Sequence, residues 1–464
     1  MKGKEDMNER ERREGEDASF NDASPKDASP KINRRTLLTG AAAAATLALM
    51  RTAVGQVIQV AGGAAPAGVG GAGVVTKGRG PDTGPASPVP APPGNPAAPP
   101  DPTKVPGPPP SALGTRSPFE HSRLIASDTS SRTPLQDLYG MITPSDLHFQ
   151  RHHGGVPLID PQRYELLIHG MVDRPMVFTL KDLKRFPSLS RICFLECSGN
   201  FRTGKTTLTP QEVCGLTSQS EWTGVLLSTL FREVGVSPRA TWFLAEGSDA
   251  AVMTRSIPVQ KAMEDAMIAY GQNGEALRPE QGYPARLLLP GWEGNTNIKW
   301  IRRIELSDGP FMTREETSKY TYPVKGKIRQ FSFEMDARSI ITFPAFPLQI
   351  DRGWVEIRGL AWSGRGKVTR VEVSTDAGRS WAPAELQGPV LEKAHTRFRF
   401  LWNWDGKETN ILSRATDETG YTQPTIKQLV AARGPDLGGY HLNPVTAWNI
   451  KRDGKVFFVP EKWK

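Results

Sequence analysis

Past residue 350 the sequence takes on a two-residue period. Trp354-Val355-Glu356-Ile357-Arg358-Gly359-Leu360-Ala361-Trp362 alternates between faces, and Lys367-Val368-Thr369-Arg370-Val371-Glu372-Val373-Ser374 does the same before an Asp376-Ala377-Gly378 turn. Residues 396–404 and 411–416 continue the series. Strands with one face on a core and one in water carry that period, and short strands at such spacing predict an immunoglobulin-like all-β sandwich. It is expected over 331–435, with a C-terminal extension over 436–464. No catalytic grouping is visible within it, so a structural or dimerisation role is expected.

Upstream the pattern mixes periods. Residues 164–170 read as a strand, and Val177-Phe178-Thr179-Leu180 leads into a short helix started by Thr179 and stopped before Pro187. Residues 191–197 form an apolar strand. Leu226, Leu230 and Val234 predict an amphipathic helix over 223–234, and residues 257–262 begin another. Strands are expected at 240–246 and 286–289. Short strands alternating with short helices and irregular loops indicate an α+β domain, placed at 119–330. No Gly-x-Gly-x-x-Gly follows any strand, so a nucleotide cofactor has no support.

Three stretches of this domain carry candidate chemistry. The first is Arg191-Ile192-Cys193-Phe194-Leu195-Glu196-Cys197-Ser198-Gly199-Asn200-Phe201-Arg202, a strand ending in a tight turn. A thiol, a glycine turn and a cation within six residues would suit a soft, anionic metal complex, although a buried structural cysteine is the simpler reading of the segment alone. Cys193 and Cys197 are not expected to share a side. With Cys214 they make three cysteines, an odd number, and neither a Cys-x-x-Cys-His haem site nor an iron–sulfur cluster pattern occurs. The second stretch, 143–157, holds His148, Arg151, His152 and His153. Without supporting ligands at zinc spacing, these suit anion contacts or a solvated polar loop. In the third, 281–304, Gly291, Gly294 and the amides of 295–297 could cradle an anion with Arg286 and Lys299 as cations, or form an ordinary glycine-rich loop.

Asn33-Arg34-Arg35-Thr36-Leu37-Leu38 precedes an alanine-rich apolar run, the pattern of a twin-arginine (Tat) export signal within 1–60. Much of the excess of the 45 glycines and 40 prolines falls in 61–118, an expected extended linker. The apolar run is too short for a comfortable membrane span, and export to the periplasm is expected. The net charge of +9 comes with no basic run interleaved with aromatics, so nucleic-acid binding has no support.

In chain order, Arg151-x-His153 before Val156-Pro157, Cys197-x-Gly199-Asn200, Gly282-Tyr283-Pro284-Ala285-Arg286, Asn297-Ile298-Lys299-Trp300 and the hairpin over 371–381 resemble the sulfite oxidase family of molybdopterin enzymes. Residues 415–424 look like the family's dimerisation domain. Residues 290–295 and 316–320 most resemble the sulfane dehydrogenase molybdenum subunits of bacterial sulfur oxidation. The resemblance implies an α+β molybdopterin-binding domain followed by an immunoglobulin-like dimerisation domain, and a molybdenum–molybdopterin cofactor. By position, Cys197 would be the protein thiolate on molybdenum. Arg151, Arg202 and Arg286 would be cations near the substrate oxyanion and cofactor phosphate. His152, His153, Asp249, Gln281, Asn297, Ile298 and Lys299 would meet the cofactor. Tyr320, in preference to Tyr322, would be the active-site tyrosine. Three positions depart from the family: Gln281 replaces a histidine of the animal sulfite oxidases, His152 an asparagine and Phe201 an arginine. The implied activity is oxidation of protein-bound sulfane sulfur, with a c-type cytochrome subunit, a sulfur-carrier protein and a second copy of the chain as partners. A free-sulfite dehydrogenase is the alternative enzyme, and a cofactor-free exported binding module the alternative of another class.

Overall fold

The computed structural model describes residues 109–464, except 327, 331 and 464. The expected signal at 1–60 and most of the 61–118 linker lie outside the described residues.

Two five-stranded sheets form the body of the first domain, beside two smaller ones. In one, Ser188–Glu196 pairs antiparallel with Thr217–Leu226, which pairs with Met267–Gln272. That last strand also takes Glu275–Ala276 and Arg286–Leu288. The other sheet runs Met176–Thr179, Glu165–Gly170, Ile301–Ser307, Trp242–Gly247, Thr254–Pro258, with its one parallel pair between Glu165–Gly170 and Ile301–Ser307. Leu166, Ile168, Phe178, Phe231, Phe243, Leu287 and Ile304 lie in the core between these sheets and the helix Leu227–Val234. Thr179 caps the short helix Leu180–Leu183 in a reciprocal bond with Asp182, as its sequence predicts.

The helix expected over 223–234 is half strand. Residues up to Leu226 belong to Thr217–Leu226, and the helix begins at Leu227. Pairing on both edges overrides the helical spacing, and Gly224 permits it: a Cβ there would lie 2.1 Å from the carbonyl oxygen of Ile268. Local propensity yields to tertiary fit here.

The second domain is the expected sandwich. Arg338–Phe343, Gly353–Trp362, Thr396–Trp404 and Glu385–Gln387 form one sheet. Ala382–Pro383, Val368–Ser374, Thr409–Asp417, Ala447–Ile450 and Val456–Val459 form the other. Val355 and Ile357 face the core, while Trp354, Glu356 and Arg358 face out, which is the period-two pattern realised. The segment 436–464 is not an appendage. Its strand Ala447–Ile450 pairs onto Thr409–Asp417 and Val456–Val459 pairs onto Ala447–Ile450, burying Trp448, Ile450, Val456 and Phe458, apolar residues that would otherwise face water.

The two domains share a core. Phe194, Leu208, Val213 and Cys214 of the first pack with Trp362, Trp404 and Trp448 of the second. Beside them Glu196 accepts from Arg338 (2.6 Å), Trp362 Nε1 (2.7 Å) and Asn200 Nδ2 (3.0 Å), all buried. Among the described residues no helix is long and apolar enough to cross a membrane.

Candidate active site

Cys197 stands one residue past Ser188–Glu196, and its half-buried thiol faces a cavity. The strand continues to Glu196, so Cys193, Leu195 and Cys197 fall at period two and pack into one cluster. The expectation that Cys193 and Cys197 face apart is therefore corrected: a spacing of four keeps both on one side. Cys193 is fully buried, which pushes its thiol up to about 12. Burial also raises the Cys197 thiol, opposed by a hydrogen bond from the Gly199 backbone. Asn200 fixes the turn by accepting from Leu216 N (2.8 Å) and donating to Glu196.

The cavity is lined by Arg151, His152, His153, Cys197, Asp249, Gln281, Arg286, Asn297, Ile298, Lys299 and Tyr320. All but one of the site residues expected from sequence therefore meet in one place, although their numbers span 170 positions. Arg202 is the exception. It is exposed and does not line the cavity, because the Asn200 turn carries the chain out to pair Arg202 N with Val213 O. Of the two tyrosines, Tyr320 lines the cavity. Tyr322 packs between the Arg433 guanidinium and the His441 ring.

Each side chain has a traceable support. Lys299 Nζ donates to Arg151 O (3.2 Å), Glu280 O (3.0 Å) and His152 Nδ1 (2.7 Å). Burial, with Lys299 and Arg151 nearby, pushes His152 down to about 3, so its neutral ring can accept that bond. Gln281 Nε2 donates to Phe149 O, 3.0 Å away, tying the 281 loop to the histidine loop. The Asn297 side chain turns inward, accepting from Leu289 N and donating to Glu293 O and Trp292 O. It shapes the loop and leaves backbone and Ile298 to face the cavity. Asp249 caps its own turn by accepting from Met253 N. Tyr320 Oη lies 3.0 Å from His153 Nε2, and burial with Arg151 nearby lowers the His153 pKa.

Charge is unbalanced here. Arg286 spans Gln281 O and Asn297 O and sits over Trp222, with its Nε buried and unpartnered. Burial pushes Arg286 down to about 9, and no carboxylate counters it. Burial, with Arg286 beside it, also lowers Lys299 well below its ordinary value. Among the described residues, Arg151, Arg286 and Lys299 form no ion pair within 4.0 Å. Buried charges demand a counter-charge, so these cations fit a bound anion such as a phosphate, and the thiol fits a soft metal.

Several residues around the cavity carried no warning in the sequence. Glu293 sits on the loop under the cavity, bonded to Arg255 (2.8 Å) and His441 (2.9 Å), and Arg255 also binds Glu316 (2.7 Å). Burial raises the Glu293 carboxyl, but Arg255 and His441 outweigh it and hold it below its ordinary value. A second, outer cavity continues from Cys197, Arg151, His153 and Tyr320 to Lys319, Arg329, Asp436, Gly438, Gly439 and Tyr440. Residues 436–441 thus bring the sandwich domain to the mouth of the site.

Comparison with known proteins agrees with this arrangement. Residues 153–315 match the oxidoreductase molybdopterin binding domain, and residues 329–447 the Mo-co oxidoreductase dimerisation domain. The chain is 30% identical to the mitochondrial sulfite oxidase of Rattus norvegicus over 335 residues, covering 65% of this chain and 60% of that protein. It is 33% identical to an NADH nitrate reductase of Solanum lycopersicum over 347 residues, covering 64% of this chain and 38% of the reductase. The chain thus spans well under half of that reductase and less than two thirds of the oxidase. Among solved structures, the sulfane dehydrogenase SoxCD from Paracoccus pantotrophus is matched with a TM-score of 0.73 and 43% identity, covering 76% of this chain and 94% of that one. A thiol under unpaired buried cations, a molybdopterin-binding domain and a dimerisation domain in this order place the chain in the sulfite oxidase family of molybdopterin oxidoreductases, whose cofactor is molybdenum–molybdopterin.

Proposed function

We propose that this chain is the molybdenum subunit of a periplasmic enzyme that oxidises sulfur substrates, with protein-bound sulfane sulfur as the physiological one. The observation that carries the reading is the half-buried Cys197 thiol sharing a cavity with Arg151, Arg286 and Lys299, three cations that form no ion pair within 4.0 Å among the described residues. Likeness to a sulfane dehydrogenase over 94% of that chain supports the choice of substrate. Cys197 would hold the metal, and Arg286 with Lys299 would hold the anionic tail of the pterin. When bound, the molybdenum centre supplies oxygen-atom transfer to sulfur and takes up the electrons released. Arg151, at the junction of the inner and outer cavities, would hold the oxyanion that forms as the sulfur is oxidised, through a guanidinium that stays charged when desolvated. Tyr320, fixed by His153, orients what binds beside it. The sequence has no Cys-x-x-Cys-His, so electrons would leave to a c-type cytochrome subunit. A sulfur-carrier protein would present the substrate at the outer cavity, and two copies would associate through the sandwich.

The test is the protein purified from a molybdenum-replete host together with its cytochrome. Stoichiometric molybdenum and sulfur-dependent cytochrome reduction are expected, the reduction being lost in Cys197→Ser with the fold retained. Absence of molybdenum from the wild type overturns the reading. Rapid turnover of free sulfite without a carrier protein would replace sulfane sulfur by sulfite as the substrate.

A further inference from the structure

Tyr320 is not alone at the mouth of the cavity. The Tyr440 ring lies 5.3 Å from it, centroid to centroid, in a tilted pair. A Cβ built on Gly199 would come within 3.9 Å of the Tyr440 ring and 3.7 Å of Gly439 O, so the ring rests on the turn that follows Cys197. The outer cavity is lined by Tyr440 together with Cys197, Arg151 and Tyr320. Gly438 and Gly439, just before it, let this backbone come close, Gly438 with φ of +65°.

The segment is pinned at three points. His441 N donates to Ser198 O (2.8 Å), inside the Cys197 turn. His441 Nε2 meets Glu293 Oε2 at 2.9 Å, on the loop beneath the cavity, and Arg433 donates to His441 O at 2.8 Å. These contacts fix the backbone beside Tyr440, so its half-buried ring is held in the wall of the outer cavity that Cys197 also lines. The two phenols also differ in what they have left to give. The Tyr320 hydroxyl is paired with His153, while the Tyr440 hydroxyl has no hydrogen-bond partner among the described residues.

We infer that Tyr440 is a specificity-determining residue that donates its free hydroxyl to the substrate's oxyanion beside Arg151 and narrows the approach to Cys197. The inference rests on the sulfur-oxidising reading above and adds to it a residue supplied by the sandwich domain. Its consequence is a donor pair, one charged and one neutral, that holds the oxyanion a sulfane sulfur acquires as oxygen is added to it, on the side facing the outer cavity.

The experiment compares the holoenzyme with its Tyr440→Phe variant, using sulfite turnover and calorimetric titration with sulfate as a tetrahedral oxyanion probe. A hydrogen bond to a charged group corresponds to about tenfold in affinity. Tyr440→Phe is expected to raise KM for sulfite and Kd for sulfate together by about tenfold, to lower kcat by less than KM rises, and to keep its molybdenum. Equal sulfate affinity in the two proteins overturns the inference. So does a fall in kcat with KM and Kd unchanged, which a merely structural role would give. Wild type that binds sulfate but turns over no sulfur substrate defeats the functional reading, and the sulfate comparison still decides Tyr440. Wild type that binds no sulfate overturns the inference as well.

Discussion

Removing the Glu196 carboxylate tests how the two domains are joined. In Glu196→Ala three buried donors lose their acceptor at once: Arg338 at 2.6 Å, Trp362 Nε1 at 2.7 Å and Asn200 Nδ2 at 3.0 Å. Glu196 and Arg338 are 1% and 4% exposed, so water cannot replace the lost contacts. Breaking a buried ion pair from one side costs about 3–5 kcal/mol, mostly because the surviving charge is stranded. At roughly 2–4 °C per kcal/mol for domains of this size, the calorimetric melting temperature should fall by about 6–20 °C. The double variant Glu196→Ala/Arg338→Met removes the stranded charge as well and should recover more than half of the loss. Molybdenum retention in Glu196→Ala should also drop, since Asn200 and the turn after Cys197 lean on the same carboxylate. A single variant that melts within about 2 °C of the wild type would refute the reasoning, and so would a double variant less stable than the single.

Two further outcomes can be measured by melting alone. Gly364→Ala would set a Cβ 1.9 Å from Gly291 O and 2.8 Å from Met335 N, where only backbone could move, and should destabilise by about 1–3 kcal/mol; Gly309→Ala, with open space around it, should change little. Burial pushes His148 and His395 down to about 3, so below the ordinary value of 6.5 the unfolded chain takes up protons that the native state refuses. Stability should therefore be full above pH 6.5 and decline as pH falls from there toward 3, with a shallower decline in His395→Gln; a melting temperature flat from pH 7 to 5 would contradict this.

Much of the site could be read before any fold was known, because its chemistry sits at the ends of strands and in glycine turns that leave local marks. Cys197 before Ser198-Gly199-Asn200, and Lys299 after Asn297-Ile298, are examples. Arg202 was misplaced because sequence distance from Cys197 says nothing about which way a turn sends the chain, and Asn200 sends it outward. Tyr440 and His441 were missed for the opposite reason. They reach the site from about 240 residues beyond Cys197, and Gly-Gly-Tyr-His carries no pattern that singles it out. The Glu316–Arg255–Glu293–His441 chain was equally silent, since buried charges find partners through tertiary packing. The strand over 217–226 hid behind a helical spacing of leucines that pairing on both edges overrode.

The strand Ser188–Glu196 serves two masters on alternate residues. Phe194 enters the sandwich core, while Cys193, Leu195 and Cys197 pack on the side of the cavity. A one-residue insertion or deletion between 188 and 196 would exchange those faces, turning the aromatic toward the cavity and the thiol away from it. A two-residue change keeps the faces but slides the thiol by about 7 Å. The position of Cys197 relative to the sandwich is thus set in whole steps, with no small adjustment available. The length of this one strand therefore constrains the site as tightly as the chemistry of its cysteine does.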